Sequence, residues 1–123
     1  MASAATKIHV EPLSRLCRAL GDETRVRIVA LLSHGELCVC HVEDALDLPQ
    51  PTASRALAVL RAAGVVTRRR DQSWAYYRLA AQPDELARKA LRGIVRSFAN
   101  QATLRGDVER LLAVRGPGRC SAR

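Results

Sequence analysis

Aromatic residues are scarce in this chain. Trp74, Tyr76, Tyr77 and Phe98 make up 3% of its 123 residues, so the core has to be aliphatic and rich in alanine. Lysine is scarcer still, with Lys7 and Lys89 set against eighteen arginines. No apolar run exceeds five residues (28–32 and 56–60), far below the roughly 20 needed to span a bilayer. The opening residues lack an apolar signal-peptide core, so a cytoplasmic chain with no membrane partner is expected. The four cysteines, Cys17, Cys38, Cys40 and Cys120, contain no C-x-x-C pair, which removes the common thiol-oxidoreductase and zinc-knuckle patterns. No phosphate-cradling glycine loop, cofactor fingerprint or His–Asp support for a nucleophile occurs, so enzymatic activity is not expected.

What is present bounds the answer further. The length allows one domain, and 48% hydrophobic residues is ordinary for a folded chain. A core this small makes self-association a sensible expectation. The net charge is +8 with a pI near 10.4, which points to nucleic acid or another anionic partner.

Leu13, Leu16, Cys17 and Leu20 recur at i, i+3, i+4 and i+7, a short helix ending at Gly21 with Cys17 on its buried face. Asp22 is a good N-cap for a second helix over 23–33. After Glu36-Leu37-Cys38-Val39-Cys40 comes a short helix with Val42, Ala45 and Leu46 on its apolar face. Pro51 suits the first turn of a fourth helix running to Ala63 and stopped by Gly64, with Ala53, Leu57 and Leu60 inward. Residues 65–70 and 74–79 then change to β-branched and aromatic runs split by Asp71-Gln72-Ser73, a hairpin signal. From Asp84 a long helix carries Ala87, Leu91, Ile94, Phe98 and Ala102 on one stripe, with a break expected at Gly106-Asp107. The order predicts a mainly α fold with a β-hairpin wing, a winged helix-turn-helix. Residues 1–11 read as a flexible start, 12–114 as the domain and 115–123 as a flexible tail.

Charge placement sharpens this. Residues 28–54 hold no lysine or arginine but carry Glu36, Glu43, Asp44 and Asp47. Residues 55–78 then hold Arg55, Arg61, Arg68, Arg69, Arg70 and Arg78 against Asp71 alone. The basic block falls on the fourth helix and hairpin, where a winged helix meets DNA, and the guanidinium fork suits phosphate and guanine.

Leu20-Gly21-Asp22-Glu23-Thr24-Arg25 with Ile28-Val29-Ala30-Leu31-Leu32, then Glu36-Leu37-Cys38-Val39-Cys40, Gln50-Pro51-Thr52-Ala53-Ser54-Arg55 and Trp74-Ala75-Tyr76-Tyr77-Arg78-Leu79, resemble the ArsR/SmtB family over about residues 13–80. The E-L-C-V-C segment looks like the arsenic-responsive and cadmium/lead-responsive branches. The resemblance implies a homodimeric repressor, joined through its first and last helices, that binds palindromic operator DNA without any cofactor. It implies release when arsenic(III) or antimony(III) binds thiolates. Carried onto this sequence, the metalloid ligands are Cys38 and Cys40; the third position is left open, with Cys120 on the tail, from its own or the partner subunit, as the candidate for it. The DNA contacts are Gln50, Thr52, Ser54 and Arg55 on the helix and Arg68, Arg69 and Arg70 on the wing. Two-fold symmetry sets half-sites roughly 34 Å apart or a multiple of it.

The chain also departs from the family. Glu43 stands where the arsenic branch often has a third cysteine, and Pro49 where a serine N-cap is frequent. Gln72 occupies the hairpin tip in place of a glycine. The N-terminal cysteines of the cadmium/lead branch and the last-helix histidines of the zinc and nickel branches are missing. A thiol-based redox or sulfide switch, or a cadmium/lead response on the same fold, are the alternatives. Residues two apart on a regular helix point about 200° apart, so Cys38 and Cys40 can share an ion only if the helix start is extended. On this expectation the ion pulls that segment out of helical geometry and so misplaces the reading helix.

Overall fold

The computed structural model describes residues 9–114. The chain runs α1 (Glu11–Ala19), α2 (Glu23–Leu32), β1 (Leu37–Cys38), α3 (Val39–Leu46), α4 (Gln50–Ala62), β2 (Val66–Asp71), β3 (Trp74–Leu79), α5 (Glu85–Ser97), a 3-10 turn (Phe98–Asn100) and α6 (Ala102–Val114). This is the winged helix-turn-helix that the pattern predicts.

Local chemistry accounts for most boundaries. The Asp22 carboxylate accepts the Arg25 N–H at 3.1 Å and starts α2. Asp84 does the same for α5, accepting from the Ala87 N–H at 2.9 Å. Asp47 ends α3 in the left-handed region (φ 53), which aspartate tolerates, and sets the turn into α4. Pro51 lies in the first turn of α4, while its N-cap Pro49 supplies no side-chain cap. Gly64, at φ 78, turns the chain from α4 into the hairpin.

Residues 28–32 of α2 are all buried. A helix covered on every side belongs at the centre, and α2 indeed meets α3, α4, α6 and β3. Leu16, Leu37, Val42, Leu57, Leu60, Val65, Val66 and Leu111 complete an aliphatic core, with Tyr77 its one buried aromatic among the described residues.

Three expectations are corrected. E-L-C-V-C is not simply the start of a helix: Leu37 and Cys38 form β1, which pairs antiparallel with β3 in a sheet of order β1-β3-β2. A two-residue strand is too short to show a period of two, so only its partner reveals it. Cys17 is exposed. The stripe of α1 that enters the core is Leu16 and Ala19, and one residue further turns the side chain by about 100°. The long helix breaks at 98–101, not at Gly106-Asp107, which lie inside α6. Asp107 is fully buried, and Arg27 of α2 donates to it twice, at 2.9 and 2.7 Å. Arg110, one turn on, also donates to Asp107. That tertiary tie offsets the cost of about 1 kcal/mol for a mid-helix glycine. It folds α6 back across α2 and α3, where Arg110 Nε also donates to the Ala45 carbonyl at 2.8 Å.

Candidate thiol site and nucleic-acid interface

Cys38 ends β1 and is at the same time the N-cap of α3, with extended backbone (φ −71, ψ 149). Cys40 lies in the first turn of α3. The change of backbone between them cancels the divergence a continuous helix would impose, and the two Sγ atoms stand 3.2 Å apart. Both residues are buried, at 0% and 1% exposed. The extended start that the sequence reading assigned to an ion's pull is therefore already built in, held by the pairing of Leu37 with Tyr77 and of Cys38 with Tyr76. Among the described residues no three His, Cys, Asp or Glu side chains converge on one point. Cys120 lies outside the described residues.

Cys40 also lines a cleft of about 300 Å³ shared with Gln50, Ser54, Arg68, Arg70, Trp74 and Tyr77. The thiol segment, the start of α4 and the wing thus meet at one place. Gln50 Nε2 donates to Ser54 Oγ at 2.6 Å, one helical turn along α4. The inward face of α4 is Ala53, Ala56, Leu57 and Leu60. Its outward face carries exposed Arg55, Ala58, Val59, Arg61 and Ala62, with Ser54 on the side of the wing and half-buried Thr52 on the other flank. Of the seven residues assigned to DNA from the sequence, Gln50, Ser54, Arg68 and Arg70 come together here. Arg55 points outward nearby, and Thr52 stands apart from the cleft.

Arg69 is elsewhere. Alternation along β2 sends its side chain to the face opposite Arg68 and Arg70. There it donates to both Glu36 carboxylate oxygens, at 2.9 and 2.7 Å, and its guanidinium lies 4.6 Å over the Tyr76 ring. The hydrogen bonds from Arg69 hold the Glu36 carboxyl below its ordinary 4.5, against a smaller opposing effect of burial. The same hydrogen bonds raise the Arg69 pKa. In the second network the Asp107 hydrogen bonds raise the pKa of Arg27, with burial opposing. Neither Glu36–Arg69 nor Arg27–Asp107 is legible as a pair in the sequence, since their members lie 33 and 80 residues apart.

Comparison with known proteins agrees with this architecture. The family described as "Bacterial regulatory protein, arsR family" matches residues 22–68. The chain is 44% identical to the arsenic resistance transcriptional regulator ArsR1 of Pseudomonas putida, over 76% of this chain and 73% of that protein. It is 41% identical to the arsenical resistance operon repressor of Escherichia coli, over 71% of this chain and 85% of that one. Among solved structures, the homodimeric winged helix-turn-helix DNA-binding domain of Mb0332 from Mycobacterium bovis superposes with a TM-score of 0.62 at 29% identity, covering 81% of this chain and 91% of that one. The transcriptional repressor BigR of Xylella fastidiosa gives 0.61 at 30% identity, covering 73% and 86%. With its fold, its reading helix and its similarity over most of the length of these regulators, the chain belongs to the ArsR family of bacterial regulatory proteins.

Proposed function

We propose that this chain is a cytoplasmic homodimeric repressor that binds a palindromic operator through α4 and the wing, and lets go when arsenic(III) or antimony(III) binds Cys38 and Cys40. The observation that carries the reading is the convergence of these two sulphurs at a point where Cys40 shares its cleft with Gln50, Ser54, Arg68 and Arg70. The relatives named for arsenic resistance support the choice of ligand.

The donor geometry supports it as well. Two sulphurs 3.2 Å apart, each about 2.3 Å from a shared ion, subtend about 90° there, whereas a tetrahedral ion at that bond length needs about 3.8 Å. An angle near 90° fits the pyramidal bonding of trivalent arsenic better than zinc. Soft thiolate donors fit such an ion by type. The third position falls to Cys120, from the same or the partner chain. Because the pair already converges, the ligand has no helix to unwind. Cys40 is disulfide-bonded in this structure, so it is in the reduced protein that the ligand takes its effect, by drawing in and re-aiming the two sulphurs at the junction of β1, α3 and α4. Operator DNA and the ligand then weaken each other by the same free energy.

The test is a polarisation titration on a labelled duplex enriched from random sequence against the wild-type protein. Arsenite or antimonite releases the wild type. Cys38→Ser and Cys40→Ser still bind the duplex but no longer let go. A Cys38→Ser/Cys40→Ser variant released by arsenite as readily as the wild type overturns the reading. Release by peroxide but not by arsenite favours the redox switch instead. An unchanged response in Cys120→Ser removes that residue from the ligand set.

A further inference from the structure

The register of the sheet aligns one residue from each strand on a single rung: Cys38 pairs with Tyr76, and Tyr76 with Arg69. At the usual strand spacing of about 4.8 Å, the thiol-bearing backbone and the outer strand of the wing are about 10 Å apart. The rung is also closed on itself. Arg69 covers the Tyr76 ring and grips Glu36, which stands two residues before Cys38 and so on the same face. Because β1 contributes only two residue pairs to the sheet, this clasp adds a side-chain tie between the thiol segment and the wing.

We propose that Arg69 is a positioning residue that ties the wing to the thiol strand and makes no phosphate contact, so that occupation of Cys38 is felt at the wing as well as at α4. The proposal rests on the reading above that Gln50, Ser54, Arg68 and Arg70 face the DNA. The Nε–Nη2 fork of Arg69 is already bound to Glu36 and its plane lies on a ring, so a paired contact from that fork to a phosphate would have to displace Glu36. Arg68 and Arg70, on the opposite face, make no such sacrifice.

Two readouts test it in the full-length protein. The first is the salt dependence of binding to the enriched duplex. Arg68→Gln and Arg70→Gln each lower the slope of log affinity against log salt by about 1.8, the value of two phosphate contacts, one from each subunit of the dimer, and Arg69→Gln leaves it unchanged. The second is Trp74, the chain's single tryptophan, at the start of β3. Its quenching by acrylamide rises in Arg69→Gln and in Glu36→Gln, and returns to the wild-type level in the exchanged pair Glu36→Arg/Arg69→Glu. A slope lowered by about 1.8 in Arg69→Gln, or wild-type quenching in both single variants, overturns the proposal. So does an exchanged pair that stays as quenchable as the singles. If Arg68→Gln and Arg70→Gln leave the slope intact, the placement of DNA on this face fails instead.

Discussion

Replacing Arg27 by methionine keeps most of the side chain's length and removes its charge, which isolates the tie between α2 and α6. In the native chain Arg27 donates two hydrogen bonds to Asp107, a carboxylate with no exposed surface, from a guanidinium that keeps a quarter of its own exposure. Removing one partner of a buried pair leaves an uncompensated charge and costs 3–5 kcal/mol. Arg110 remains beside Asp107 and is half exposed, so the loss falls at the lower end, at about 3 kcal/mol. Urea denaturation at fixed protein concentration is the assay. With a slope of about 1.5 kcal/mol/M, the midpoint falls by about 2 M while the slope itself holds. The companion variant Arg27→Met/Asp107→Leu removes both charges and fills the space with apolar atoms. It regains most of the loss, because a buried ion pair is worth little more than well-packed hydrophobic residues. A single variant within about 1 kcal/mol of the wild type, or a double variant no better than the single, would refute the view that burial of the Asp107 charge fixes α6.

Two smaller effects follow from backbone and charge. Gln72 is exposed and holds a left-handed φ of 59 at the tip of the wing; Gln72→Gly relieves that strain, and after glycine's extra unfolded-state entropy the net gain is about 0.5 kcal/mol, read as a raised thermal midpoint. The Glu36 carboxyl is held below its ordinary 4.5 by Arg69, so what the clasp contributes is whole above pH 4.5 and is lost as pH falls through the lowered folded value. Trp74 quenching should therefore rise on acidification below that point in the wild type and show no such step in Glu36→Gln.

The helix-turn-helix was legible because its punctuation is local. Asp22, Pro51 and Gly64 do at their own positions what their chemistry prescribes, and the hairpin announces itself by the change from a period of 3.6 to one of two. What was not legible depends on partners distant in sequence. β1 exists only because β3 is beside it, and α6 continues through Gly106 only because Asp107 finds Arg27. Arg69 is an intermediate case. Alternation along a strand already separates it from Arg68 and Arg70, but a run of three arginines reads as one patch until Glu36 and Tyr76 are placed on one side of it. The convergence of Cys38 and Cys40 was likewise hidden, since it follows from the strand-to-helix junction between them and not from their spacing.

Between Arg55 and Arg61 the outward face of α4 offers Ala58 and Val59, with Ala62 just beyond, so at its centre it presents methyl groups. Such a surface lets the helix axis come close to the floor of a groove but carries few donors or acceptors with which to interrogate base edges. A reading head with so few functional groups extracts little information per base pair at its centre. Its targets would then be defined by the two ends of each half-site and by how readily the intervening steps bend or narrow, leaving the middle of the operator free to drift.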